Sequence, residues 1–102
     1  MQEISVTDLK SLQQDTIQMI DVRERYEYEM GNIDAMNMPM DTVLKSIKKI
    51  NPNKKVILYC QTGRRSAAVV YMLHKKHNLD NTYSLKGGYQ AYLDLTSKEK
   101  II

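Results

Sequence analysis

The chain has one cysteine, Cys60, and it stands in the run Cys60-Gln61-Thr62-Gly63-Arg64-Arg65-Ser66. A free thiol has a pKa of about 8.5, so only a few per cent is ionised at neutral pH. Unpaired N–H groups at a helix start carry roughly half a positive charge, and Arg64 and Arg65 add two full charges. A fall of about two pKa units, roughly 2.7 kcal/mol, makes the thiolate dominant at pH 7. The same donors would then hold an oxyanion over the sulfur. The competing role, a small buried apolar side chain, accounts neither for Gly63, whose freedom turns N–H groups inward, nor for the paired arginines. The run therefore predicts an accessible, activated thiol in an anion-binding loop.

A second group is Asp21-Val22-Arg23. A carboxylate and a guanidinium at the end of a strand need partners if they are buried. The spacing predicts a structural ion pair that fixes the turn, with catalysis as the alternative. Two further groups are poor metal sites. Met36, Met38 and Met40 alternate, which would turn three thioethers one way on a strand; methionine more often fills core gaps. His74 and His77 share a helix face, but a zinc site usually needs three or four protein ligands.

The elements that must position these residues follow from the pattern. Val56-Ile57-Leu58-Tyr59 is apolar and rich in strand formers, so it reads as a buried strand delivering Cys60 at its carboxyl end. The largely apolar run from Ser66 to Leu73 reads as a packed helix, ending near His77. Further strands are expected at Glu3-Ile4, Thr16 to Ile20, Met36 to Met40 and Thr82 to Leu85. Helices are expected after a capping box at Ser5 to Asp8, over Glu24 to Met30 with Gly31 as a left-handed cap, over Asp41 to Ile50, and after Gly87-Gly88. Alternating strands and helices imply right-handed crossovers and a mostly parallel sheet covered on both faces. In such sheets ligands gather beyond the strand carboxyl ends.

Size and charge narrow the classes. A chain of 102 residues with 42% hydrophobic content fits one α/β domain over 1–102. A net charge of +3 is too weak to argue for nucleic acid. The sequence holds no apolar run of about 18 residues and no secretion signal, and a lone cysteine suits a reducing compartment, so the expected location is cytoplasmic. No membrane partner is expected.

Four motifs in order resemble the rhodanese family of sulfurtransferases, over nearly the whole chain. Asp21-Val22-Arg23-Glu24 with Glu27-Tyr28 and Gly31-Asn32-Ile33 is similar to that family's first signature. Asn37-Met38-Pro39 resembles the segment that follows it, Cys60 to Ser66 the active-site loop, and Leu85-Lys86-Gly87-Gly88 the closing motif. The resemblance implies a rhodanese-like, mostly parallel five-stranded sheet with helices on both faces. It also implies that Cys60 takes a sulfane sulfur as a persulfide, from thiosulfate or a persulfide donor, and passes it to a thiophilic acceptor. Gln61, Thr62, Gly63, Arg64 and Arg65 would then hold substrate, with Asp21, Arg23 and Ser66 as structural support. No metal and no organic cofactor are expected; the partners would be a small-molecule sulfur donor and acceptor, with a sulfur-relay protein as a further one. The alternatives are a persulfide carrier or regulatory binding module, and a cysteine phosphatase or arsenate reductase. The last is disfavoured by loop length: four residues separate Cys60 from Arg65, where those enzymes have five.

Overall fold

A computed structural model describes residues 2–100, so the extreme ends of the expected 1–102 domain lie outside the described residues. Five strands form one sheet in the order β1-β5-β4-β2-β3: β1 (Glu3–Ile4), β2 (Ile17–Asp21), β3 (Met36–Asn37), β4 (Lys55–Tyr59) and β5 (Thr82–Leu85). Every pairing is parallel. The helices are α1 (Val6–Lys10), α2 (Arg25–Glu29), α3 (Met40–Lys45), α4 (Arg64–His77) and α5 (Gly88–Lys100).

The central strand β4 shows why the sheet is covered twice. Successive side chains of a strand point to opposite faces. Val56, Leu58 and Cys60 therefore join Val69, Val70 and Leu73 of α4 and Val43 of α3 on one face. Ile57 and Tyr59 join Val6 and Leu9 of α1, and Tyr89 and Tyr92 of α5, on the other. At the carboxyl end, Asp21 of β2 is paired in register with Tyr59 of β4. That register brings the Asp21-Val22-Arg23 turn beside the loop that follows Cys60.

Several expected elements shift. The first helix ends at Lys10, and a 3-10 turn over Gln14–Thr16 precedes β2, which begins at Ile17 rather than Thr16. The methionines do not line one face. The strand stops at Asn37, because Pro39, with ψ 153°, starts α3. Met36 is then 46% exposed while Met38 is 2% exposed, in the core. The expected helix to Ile50 breaks at Ser46 and resumes as a 3-10 turn over Ile47–Lys49. A tertiary bond wins there: the Gln18 amide of β2 donates to the Lys49 carbonyl (2.8 Å) and accepts from the Asn51 N–H (2.8 Å). Gly31 follows α2 with φ +152°, positive but far from the compact left-handed cap expected of it.

Candidate active site

Cys60 ends β4, and Gln61 to Gly63 turn the chain into α4. Gly63 caps that helix with φ +100°, a conformation that favours glycine. The turn aims its amides at the sulfur. The Gly63 N–H donates to Sγ at 3.1 Å and the Ser66 N–H at 3.4 Å, with the Ser66 hydroxyl 3.6 Å away. Burial pushes the Cys60 thiol up, but the Ser66 N–H and hydroxyl and the Gly63 and Thr62 N–H groups outweigh it and hold the thiol below its ordinary value. Hydrogen bonding to the charged form, more than arginine charge, lowers this thiol.

One expectation needs correction. Cys60 is only 1% exposed, so the sulfur is covered rather than open. The reason is packing: Cys60 belongs to the buried cluster that includes Val69, Val70 and Leu73 of α4. The arginines, moreover, are not equivalent. Arg64 is exposed. Arg65 is half-buried and grips Glu27 of α2 through two bonds, Nη1 to Oε1 at 2.7 Å and Nη2 to Oε2 at 2.9 Å. That bond holds the Glu27 carboxyl below its usual range and the Arg65 guanidinium above its own, the second helped by the Cys60 charge. Arg65 is the arginine held against α2, and Arg64 is the one left in water.

Asp21 and Arg23 form the expected pair, at 2.7 Å and almost fully buried. Burial works against the Arg23 charge, but the bonds to Asp21 outweigh it and the guanidinium stays above its ordinary value. Arg23 also donates to the Gly31 carbonyl (2.6 Å) and to Oε1 of Gln61 (3.1 Å), and lies over the Tyr89 ring at 4.5 Å. Gln61 is thus tied by its side chain to the β2 turn. Thr62 is exposed at the tip. A cavity of about 210 Å³, lined by Arg23, Glu27, Met30, Gln61 and Tyr89, opens beside the loop.

Two site residues were missed from the sequence. Glu27 entered only as part of the first signature; nothing local pairs it with Arg65, which stands 38 positions away. Ser84 of β5 gave no signal: it is a fully buried polar residue in the short strand Thr82–Leu85. Its hydroxyl lies 2.7 Å from that of Ser66, beneath the sulfur. His74 bonds the Thr82 carbonyl at 3.0 Å, and no three metal-ligating side chains cluster among the described residues.

The rhodanese-like domain family matches residues 5–95. The chain belongs to that family. A Staphylococcus aureus rhodanese-like domain protein superposes with a TM-score of 0.78 at 33% identity, over 90% of this chain and 91% of that one. A rhodanese-related protein from Thermoplasma volcanium gives a TM-score of 0.82 at 28% identity, over 93% of each chain. Among curated relatives, the uncharacterised Bacillus subtilis protein YqhL is 38% identical over 76 residues, 74% of this chain and 60% of that protein. The adenylyltransferase and sulfurtransferase UBA4 of Eremothecium gossypii is 30% identical over 86 residues, 74% of this chain but 19% of that protein. The chain therefore spans 60% of the first relative and about a fifth of the second. No helix of the described residues is long and apolar enough to cross a membrane.

Proposed function

We propose that this rhodanese-like domain is a sulfurtransferase that carries a sulfane sulfur on Cys60. The observation that supports it most is the ring of N–H groups on Sγ, from Gly63 and Ser66, around a thiol held below its ordinary value. In the step proposed, the Cys60 thiolate attacks the outer sulfur of thiosulfate. A new S–S bond forms, the old one breaks, and its electron pair leaves with sulfite. The acceptor, a thiol, cyanide or a partner's nucleophile, then attacks the outer sulfur of the persulfide and returns the electron pair to Cys60. The persulfide is itself anionic, so the same amides serve both states. Arg65 stabilises the departing charge, and the cavity beside Gln61 is where the donor or acceptor approaches. A relative named as a sulfurtransferase supports this chemistry, and a thiol of this kind is best kept in a reducing, cytoplasmic setting.

The loop also argues against phosphoryl chemistry. Arg65 is already bonded at both Nη atoms to Glu27, which leaves less of its fork for a bidentate grip on a phosphate. The covered sulfur favours a second reading, a carrier whose loop opens for a protein donor or acceptor. A carrier forms the persulfide yet turns over thiosulfate and cyanide poorly.

The test is intact mass before and after thiosulfate. The expected result is a gain of one sulfur atom, reversed by cyanide, and no gain in Cys60→Ser. No gain in the wild type, or retained transfer in Cys60→Ser, overturns the proposal.

A further inference from the structure

Ser84 places a hydroxyl among apolar side chains. It pairs in register with Leu58 of β4, so its side chain stands on the face of the sheet that α4 covers with Val69, Val70 and Leu73. It is fully buried. Its hydroxyl has a single hydrogen-bond partner among the described residues, the Ser66 hydroxyl at 2.7 Å, an ordinary O–H···O length. A buried hydroxyl proton without an acceptor is costly. The Ser84 proton therefore goes to Ser66 Oγ, and Ser66 accepts.

That direction constrains the proton of Ser66. It cannot go back to Ser84, and two acceptors remain: the Gly63 carbonyl at 3.3 Å and the Cys60 sulfur at 3.6 Å. The Gly63 carbonyl already accepts from the Ala67 N–H at 3.0 Å. The sulfur, once ionised, is the charged acceptor and draws the proton more strongly. A neutral thiol can itself donate to Ser66 Oγ. On ionisation that donor is lost and the bond reverses, so Ser66 Oγ then needs another donor. Ser84 is the group in position to supply it.

We propose that Ser84 is a positioning residue for the thiolate: its hydroxyl donates to Ser66 Oγ, which commits the Ser66 proton to the sulfur and gives Sγ a third donor beside the Gly63 and Ser66 N–H groups. The two hydroxyls form a chain in which each bond polarises the next. Ser84 acts on the sulfur only through Ser66. The inference deepens the proposed transferase reading and rests on Cys60 being its working thiol, but it is tested on the free thiol. The charged groups that border the loop, the Arg65–Glu27 pair from α4 and α2 and the Asp21–Arg23 pair of the β2 turn, are kept in every variant used.

Cys60 is the only thiol of the chain. The ultraviolet absorbance of the thiolate against pH therefore reads it alone, with Cys60→Ser as the blank and thermal unfolding as the check on folding. The expected result for Ser84→Ala is a titration moved to higher pH, with the thiolate fraction below the midpoint reduced about threefold to tenfold, the size of one hydrogen bond. Ser66→Ala is expected to move it at least as far, and Ser84→Ala added to Ser66→Ala to move it no further. A Ser84→Ala curve equal to the wild type overturns the proposal. So does an equal shift from Ser84→Ala in the Ser66→Ala background, which would mean that Ser84 acts on packing rather than through Ser66. A second measurement needs no variant. In the wild type, the Cβ resonances of Ser66 and Ser84 are expected to titrate together with the thiol; a Ser84 resonance that ignores the thiol overturns the proposal. Sulfur uptake is read separately by mass, so a wild type that takes none removes the transferase reading, while the titration still decides on Ser84.

Discussion

Asp21 and Arg23 stand two positions apart in sequence and are 0% and 2% exposed; Glu27 and Arg65 stand 38 apart and are 18% and 35% exposed. Both are carboxylate–guanidinium pairs at 2.7 Å, and both border the Cys60 loop. The difference lies in what each arginine does with its other donors. Arg23 spends them on the Gly31 carbonyl and on Gln61, and is covered by Tyr89. Four of its five N–H groups are taken, which leaves it little to offer an incoming anion. Among the described residues Arg65 bonds only Glu27 and its side chain is 35% exposed, which leaves part of it open to an incoming anion. A pair buried on all sides sets the frame; a pair left partly open can respond to substrate. Type and spacing of residues do not separate the two cases, but exposure does.

The largest way to break this contrast is Asp21→Asn. It leaves the buried Arg23 charge without its counter-charge, and the expected loss of stability is about 3–5 kcal/mol by urea unfolding. A loss no greater than that of Glu27→Gln would make the two pairs equivalent.

Arg65→Ala sharpens the functional side. Its pair is partly solvated, so the expected stability loss is within about 1 kcal/mol. The expected kinetic effect is larger: KM for thiosulfate rises about tenfold, the scale of one charge-assisted contact, and the thiol titrates at higher pH. An unchanged pH profile removes Arg65 from the chemistry.

The Glu27 pair has a pH signature. Its folded pKa lies below the ordinary value because Arg65 holds the charged form. Its contribution is therefore complete above the unfolded glutamate pKa, about 4.3, and is lost as pH falls through the folded one. The melting temperatures of wild type and Glu27→Gln are expected to differ by a constant amount from pH 5 to 7 and to converge below pH 4. A gap that persists in acid would mean that the charge of Glu27 on Arg65 is not what stabilises the fold here.

Arg64→Ala is the smallest change. The side chain is exposed and makes no salt bridge with a described residue, so stability is expected to stay within about 0.5 kcal/mol. An effect on KM equal to that of Arg65→Ala would show that the loop draws on both arginines alike.

Local chemistry made much of this legible in the amino-acid order. The unbroken apolar run from Val56 to Cys60 announced a strand covered on both faces, because successive side chains of a strand point to opposite sides. The same holds for the α4 helix and its end at His77, and for the turn residues Gly63 and Gly87-Gly88. The pairing of Asp21 with Arg23 was legible because two residues bring them together. Errors came where a distant contact overruled a local preference. Gln18 reached across to Lys49 and Asn51 and broke the expected helix, and Pro39 turned the methionine run out of its strand.

What the sequence alone determined is the set of elements, their order and the thiol they present, since each follows from neighbours within a few residues. What tertiary structure decided is which groups meet at the sulfur. Glu27 chooses Arg65 over Arg64, Ser84 comes up beneath Ser66, and the first amides of α5 take the loop carbonyls. Each joins residues 18 to 38 positions apart, and the hydrogen bonds that make them depend on angles and distances that only the assembled sheet defines. The same assembly leaves Cys60 covered, because its side chain packs in the core cluster beside α4.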